Sequence, residues 1–394
     1  MIQRSENNGN GNFFVSSDRF IGKCPPTVED LKRQVANGNT KYIDMLRYYS
    51  GTNSRGTDSY WRGKTEELRT WIDYHVAQGN GPPTIFLTLS CAENWWPELT
   101  ELIADMEDQC GNTKQAKAVR ENNFTEICIS VKRYPLLVNQ FFLMRSKEFM
   151  KTVLKEGLEI PHYWGRVEFA PGRGQIHLHL LCIGRNQSYL KDYHDAKTET
   201  EKTHVLNKYA TEVLDMTADL DVIDDSDYFI DKSPSSDTAL RKRFSDVKDD
   251  VKDIKSLAEG CMVHQCNAYC MDTKNKKCTP RECRFDYGKE SAYGELDSEG
   301  KIRRTVAAIV TDKKGVQKLQ MKRTKSRKVV QLSKPLLQSW RANCDIQLLI
   351  YNSDPRNPDI AEIESVTRYV VAYAGKKHNT SKTEREAIQN IIKG

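Results

Sequence analysis

The sequence predicts an α+β fold: a central antiparallel sheet flanked by helices, interrupted by a charged insertion and a small cysteine-rich module. Three observations carry that expectation. First, "TIFLTLSC" (84–91) is a short β-rich apolar run after two prolines, the pattern of a buried central strand. Second, "WGRVEFA" (164–170) and "QIHLHLLCIG" (175–184) are strand-like and joined only by "PGRG", which predicts an antiparallel hairpin. Third, segments of helical periodicity separate these runs from one another and from further strands near the C-terminus.

Taken in order, "TVEDLKRQVANG" reads as a helix, with Thr27 and Glu29 suited to its start and Gly38 to its stop. Residues 59–79 form a second helix, ended by Gly79. "WPELTELIADM" starts another after the 84–91 strand, with Pro97 at a tolerated early position. A long amphipathic helix is expected over 133–156. The hairpin strands follow, and then 186–260 is polar, charged and partly helical, with a Ser/Asp-rich break at 224–237. Two basic strands are expected at 301–311 and 316–331, then "SWRANCDIQLLIYN" as a strand and a helix over 361–375. The expected organisation is a mainly helical segment at 1–80, the first part of the core at 81–195, and an insertion at 196–300 with its cysteine module at 261–288. The second part of the core covers 301–394. The last residues read as a helix still running, which suggests a piece of a longer polypeptide. No internal repeat is visible.

Composition narrows the class. No apolar run approaches the ~20 residues of a membrane span, and no apolar leader core stands at the N-terminus. The net charge of +6 is modest, but it is unevenly spread. Residues 301–334 hold twelve Lys/Arg against the single acidic Asp312, and 212–231 are acidic. A basic, apolar-interleaved strand pair bearing Lys322, Arg323, Lys325, Arg327 and Lys328 suits a phosphate backbone. A solvated hairpin fits the same composition.

The candidate chemistry begins at the hairpin. Side chains alternate along a strand, so His177 and His179 share a face. If "PGRG" closes a four-residue loop, Glu168 stands opposite His177 and Arg166, a candidate DNA contact, opposite His179. Two imidazoles and one carboxylate then converge, a donor set for a divalent cation such as Mg²⁺ or Mn²⁺. Further on, Tyr369 and Tyr373 are four residues apart and Lys376 three beyond, one face of a helix. Such tyrosines pack core edges, or attack a phosphodiester polarised by a cation.

Five of the eleven cysteines fall within 261–283. With no leader core in view, clustering argues for metal rather than disulfides. Cys261, His264, Cys266, Cys270, Cys278 and Cys283 are available, and a structural zinc needs four. Among the remaining residues, Trp95, Trp96 and Trp340 suit stacking on unpaired bases but read rather as core anchors, Trp340 above all, and His162 reads as structural. Asn343 and Asp345 alternate along a strand, either orienting site groups or forming an ordinary polar pair.

Together these motifs resemble one family, the His-hydrophobic-His endonucleases, and within it the Rep nuclease domain of Helitron rolling-circle transposases. "FLTLSCAENWWPEL" (86–99) is similar to the family's strand-then-Trp-Pro segment, "WGRVEFAPGRGQIHLHLLCIG" to its Glu…His-x-His hairpin, and "RYVVAYAGKK" to its Tyr-x3-Tyr-x2-Lys helix. "SWRANCDIQLL" (339–349) resembles the segment shortly before those tyrosines. The resemblance spans about 84–377. The loop "APGRGQI" departs from the Lys-Arg-Gly-Leu-Pro type of that family.

The resemblance implies a ferredoxin- or RRM-like core and metal-dependent nicking and joining of single-stranded DNA through a 5′-phosphotyrosine. His177, His179 and Glu168 would hold the catalytic Mg²⁺ or Mn²⁺, Tyr369 or Tyr373 would attack, and Lys376 would steady the phosphates. It also implies a structural zinc on His264, Cys266, Cys270 and Cys283, with Cys278 as the alternative to His264. Further implied are single-stranded transposon and target DNA as partner, a helicase region in the same full-length polypeptide, and a nuclear location. This chain has no G-x-x-x-x-G-K-[ST] loop, so no ATP-driven helicase activity is expected of it. A rolling-circle replication initiator or relaxase, or a decayed zinc-containing DNA-binding protein, would share parts of this pattern.

Overall fold

The computed structural model describes residues 33, 36–38, 58–169, 174–184, 188–220, 239–264, 306–311, 315–322, 328–354 and 356–374, with the side chains of 58–61 and 372–374 left aside. It is α+β, with a six-stranded sheet and ten α-helices among these residues. No described helix is long and apolar enough to cross a membrane. The chain divides into two units: Met1–Tyr74 with Ile363–Gly394, and His75–Glu362.

The larger unit holds the sheet. Strand β1 (Ile85–Ser90) leads into helices α2 (Pro97–Gln109), α3 (Thr113–Arg120), α4 (Phe124–Arg133) and α5 (Pro135–Phe149), counting the preceding Asp58–Ala77 as α1. The hairpin strands β2 (His162–Phe169) and β3 (Ile176–Ile183) follow. Helices α6 (Tyr189–Asp195) and α7 (Glu199–Glu212), the short β4 (Met216–Thr217) and α8 (Asp250–Cys261) come next. Strands β5 (Ala308–Thr311), β6 (Gln317–Gln320) and β7 (Leu332–Ser333) precede α9 (Lys334–Trp340) and β8 (Cys344–Ile350). The sheet order is β2-β3-β1-β8-β6-β5, with every pair antiparallel. Strands β1, β2, β3 and β8 thus trace a β-α-β-β-α-β path across four adjacent strands at one side of the sheet.

One face of these strands is apolar. Leu87 and Leu89, Leu178 and Leu180, and Ile346 and Leu348 are buried there with Leu99 and Ile103 of α2 and Val138 and Phe142 of α5. Trp96, Trp340, Phe142 and Phe149 interlock edge-on at its centre, with the Trp96 and Trp340 rings 5.3 Å apart. The Arg145 guanidinium lies 4.6 Å over Trp96, a stacked cation that packs as well as it charges. Trp96 and Trp340 are therefore the core anchors expected, and Trp95 packs against the same core, its ring tilted on Phe124 at 5.2 Å.

Three expectations are corrected. The long helix over 133–156 is broken: α4 ends at Arg133 because Pro135 cannot continue its hydrogen-bond ladder, and α5 restarts there. Beyond Phe149 the coil widens into π-helical turns over Met150–Gly157, for which nothing in the sequence prepares. Ser339 and Trp340 are helical rather than strand. Pro335 starts α9, and Arg341, at φ +56°, turns the chain sharply into β8. The basic strand pair exists but is shorter than expected, 308–311 and 317–320. Most of the helix expected over 27–38, the break at 224–237 and residues 301–305, 312–314 and 323–327 lie outside the described residues.

Two buried carboxylates tie the helices together. Glu107 of α2 is fully buried and accepts hydrogen bonds from Asn112, Ser130, Arg133 and Tyr134. Burial pushes its carboxyl up, but those donors outweigh it and hold the group below the usual carboxylate range. Asp253 of α8 receives both arms of the buried Arg341 guanidinium at 2.9 Å.

The smaller unit contains most of α1 and of α10 (Ile360–Ala374), close to the helices expected at 59–79 and 361–375. Arg69 of α1 bonds Glu364 of α10 at 3.1 Å, and Leu68, Ile72, Val366 and Val370 are buried.

Candidate functional site

The hairpin pairs in the register expected of a four-residue loop. Phe169 faces Ile176, Glu168 faces His177 and Arg166 faces His179. Ala170, the last residue of the expected strand, lies outside the described residues. Strand β1 lies on the other side of β3, opposing Ser90 to His177 and Thr88 to His179. Strand β8 then adds Asp345 opposite Thr88, and Asn343 accepts the Ser90 backbone N–H. Directly opposed residues share a face. The face turned away from the leucines therefore carries two polar rows, Glu168–His177–Ser90–Asn343 and Arg166–His179–Thr88–Asp345.

Hydrogen bonds knit these rows. His179 Nε2 lies 2.8 Å from Glu168 Oε2, and its Nδ1 lies 3.0 Å from Thr88 Oγ1. A carboxylate only accepts, so His179 donates from Nε2 to Glu168, and a ring carrying that single proton accepts a hydrogen bond from the Thr88 hydroxyl at Nδ1. Phe86 stacks flat on the ring, 5.9 Å between centroids. His177 Nδ1 lies 2.9 Å from Ser90 Oγ. Ser90 donates in turn to Asn343 Oδ1 at 3.2 Å. On this face Glu168, Arg166 and His179 are buried and His177 is half-buried. Asp345 accepts from Gln347 at 2.7 Å, and Gln347 accepts from Lys318 of β6 at 3.2 Å, extending the polar face toward the basic strands.

The apolar side braces the site. Trp340 Nε1 donates to the Ser90 carbonyl at 2.8 Å, and Trp96 Nε1 to the Arg341 carbonyl at 3.0 Å. Thr88 and Ser90 are the residues that sequence reasoning missed. Their signal was the alternation of hydroxyls with Leu87 and Leu89 inside a run that reads as uniformly buried.

Two imidazoles and a carboxylate suit a divalent cation, and each imidazole has its Nδ1 against a hydroxyl, although His179 Nδ1 accepts there whereas a metal-binding histidine donates from its second nitrogen. Among the described residues, however, no three His, Cys, Asp or Glu side chains stand as a preformed metal cluster. The groups here form a hydrogen-bonded pair, Glu168–His179, with His177 beside it.

The other candidates fall elsewhere. Tyr369 lies on α10 in the smaller unit and is fully buried. The Tyr373 side chain and Lys376 lie outside the described residues, as do Cys266, Cys270, Cys278, Cys283, Arg323, Lys325 and Arg327. Of the cysteine module, Cys261 and His264 are described. Cys261 donates its thiol to the Leu257 carbonyl at 3.1 Å, and burial pushes that thiol up to about 12, so it serves α8 as a neutral group. His264 donates its backbone N–H to the Lys328 carbonyl, and burial and then the Lys328 charge keep its imidazole below the usual range. Lys322 pairs with Asp219 at 3.5 Å, where the basic strand meets the acidic insertion. Cys91, Cys110, Cys128, Cys182, Cys261 and Cys344 are free thiols. His162 packs against His75 with the rings tilted, 4.5 Å between centroids, as a structural histidine would.

No curated protein matches this chain. Residues 19–182 match the family model described as "Helitron helicase-like domain at N-terminus". That segment includes β1, β2 and most of the strand bearing His177 and His179, and over it the chain is similar to that Helitron domain.

Proposed function

We propose that this chain nicks and rejoins single-stranded DNA as the Rep-type nuclease of a Helitron-related transposase. The observation that carries the proposal is the β2–β3–β1 register, which gathers Glu168, His177 and His179 on one face with both imidazole Nδ1 atoms tethered. His177, His179 and Glu168 would hold Mg²⁺ or Mn²⁺, which supplies charge to a scissile phosphate. Holding it requires His179 to release its Nε2 proton from Glu168 and to donate from Nδ1 to Thr88 instead, a reversal the threonine hydroxyl permits.

The phenol oxygen of Tyr373 or Tyr369 attacks phosphorus as its proton leaves. The bond from phosphorus to the 3′ oxygen breaks, and that oxygen takes up a proton. A 5′-phosphotyrosine and a free 3′-OH result, and the reverse attack by a 3′-OH rejoins a strand without ATP. Two tyrosines on one helix allow two strands to be held in turn, with Lys376 steadying the phosphates. Tyr369 is enclosed in this state, so its hydroxyl meets DNA only after its surroundings open. The cysteine module would hold a structural zinc on His264, Cys266, Cys270 and Cys283, with Cys278 as the alternative.

A denaturing gel of end-labelled single-stranded DNA, incubated with the protein and Mn²⁺, tests the reading. From 3′-labelled DNA, a protein-linked downstream fragment, attached through its 5′ phosphate, is expected from the wild type and none from Tyr369→Phe/Tyr373→Phe. An adduct that persists in the double variant overturns the nucleophile assignment. Elemental analysis should return one zinc per chain, and a zinc-free folded protein would end the module's assignment.

A further inference from the structure

Asn343 does more than pair with Ser90. Its Nδ2 donates to the Cys261 carbonyl at 3.0 Å, and Met262 Sδ lies on the same side at 3.6 Å. Both of those groups only accept, so the amide can present only its NH₂ to them, and its Oδ1 must face Ser90. The Cys261 carbonyl ends α8, where carbonyls lack partners within the helix and carry the negative end of its dipole, which makes it a firm anchor for that NH₂. Ser90 has one hydroxyl proton, and it is committed to Asn343 Oδ1. The Ser90 oxygen is then an acceptor toward His177, so His177 must carry its proton on Nδ1. In the neutral form of the ring the lone pair is thereby placed on Nε2. His179 rests the other way, with its proton on Nε2 toward Glu168.

We propose that Asn343 is a positioning residue: through Ser90 it fixes the Nδ1–H tautomer of His177 and so keeps Nε2 ready to ligate a cation. This deepens the proposed function and rests on it for the role of the cation. The relay runs Cys261 C=O, Asn343 amide, Ser90 hydroxyl, His177 imidazole, and draws on two strands, the residue that enters a third and a helix end, all distant in sequence. It presets one of the two histidines before any cation arrives, while the other must reverse.

The test uses the full chain labelled with ¹⁵N-histidine, read by long-range ¹H–¹⁵N correlation without metal or DNA, with His177 assigned from the His177→Gln spectrum. The wild type should show His177 with the Nδ1–H pattern. Asn343→Leu and, separately, Ser90→Ala should move it toward Nε2–H while the His179 pattern stays unchanged, and Ser90→Thr should restore the wild-type pattern. Mn²⁺ affinity should fall about 10- to 100-fold in the first two variants. A His177 that is Nε2–H in the wild type, or Nδ1–H in a folded Ser90→Ala protein, overturns the relay. A correct tautomer pattern in a protein that never nicks DNA would overturn the proposed function and leave the relay standing.

Discussion

The two faces of the β2–β3–β1–β8 strands share one backbone and differ in almost everything else. On one, Leu178, Leu180, Leu87, Leu89, Ile346 and Leu348 close against helices. On the other, the alternate residues are Glu168, Arg166, His177, His179, Ser90, Thr88, Asn343 and Asp345. The apolar face gains by area removed from water and is indifferent to donor direction. The polar face is buried or half-buried too, so each of its groups needs a partner of the right sense, and the hydrogen bonds found there are directional. The difference separates stability from chemistry along a single strand: neighbours such as His179 and Leu180 are expected to fail in different assays.

The largest effect is expected on the polar face. His177→Ala should lower Mn²⁺-dependent nicking by more than about 100-fold and leave unfolding free energy within about 1 kcal/mol, measured by denaturant titration. A loss of stability as large as that of a core leucine would erase the contrast. Next comes the apolar face: Leu180→Ala should cost about 2–5 kcal/mol and, below its lowered melting point, leave the nicking rate per folded molecule nearly unchanged. The helical layer gives a smaller, pH-dependent effect. Glu107 has a depressed pKa, so its contribution is present above the ordinary carboxylate range and is lost as pH falls through the folded-state value. Glu107→Gln should therefore flatten the acid limb of the stability profile, read by thermal melts from neutral pH downward. The smallest effect is a baseline outside both faces: removing the exposed Lys117–Glu121 pair, 3.8 Å apart, by Lys117→Ala should change stability by less than about 0.5 kcal/mol.

Alternation made the hairpin legible. Once "PGRG" is taken as a four-residue loop, the period of two forces Glu168 opposite His177, and the departure of that loop from the resembling family does not alter the register. The helix starts at Pro97 and near Ile360 were equally plain, because proline and helical periodicity act locally. The hydroxyls of Thr88 and Ser90 were not, since their meaning depends on which strand lies alongside and no local pattern states that. Asn343 and Asp345 were visible as alternating polar residues, but only pairing with β1 gives them a direction. The break between α4 and α5 could be read from Pro135, whereas the π-helical turns that follow have no such marker.

The placement of β8 has a consequence for how the molecule comes into being. It lies between β1 and β6, and its partner β1 is made more than 250 residues earlier. Contacts so distant in sequence are slow to form. Until β8 arrives, β1 would be an open edge of Ile85, Phe86, Leu87 and Leu89, the kind of edge that pairs with another chain. A fragment cut at Cys182, where the family match ends, would keep Glu168, His177 and His179 and yet carry that edge permanently. Such a fragment should be recovered as aggregates, and supplying the 328–352 segment in trans should be what makes it soluble.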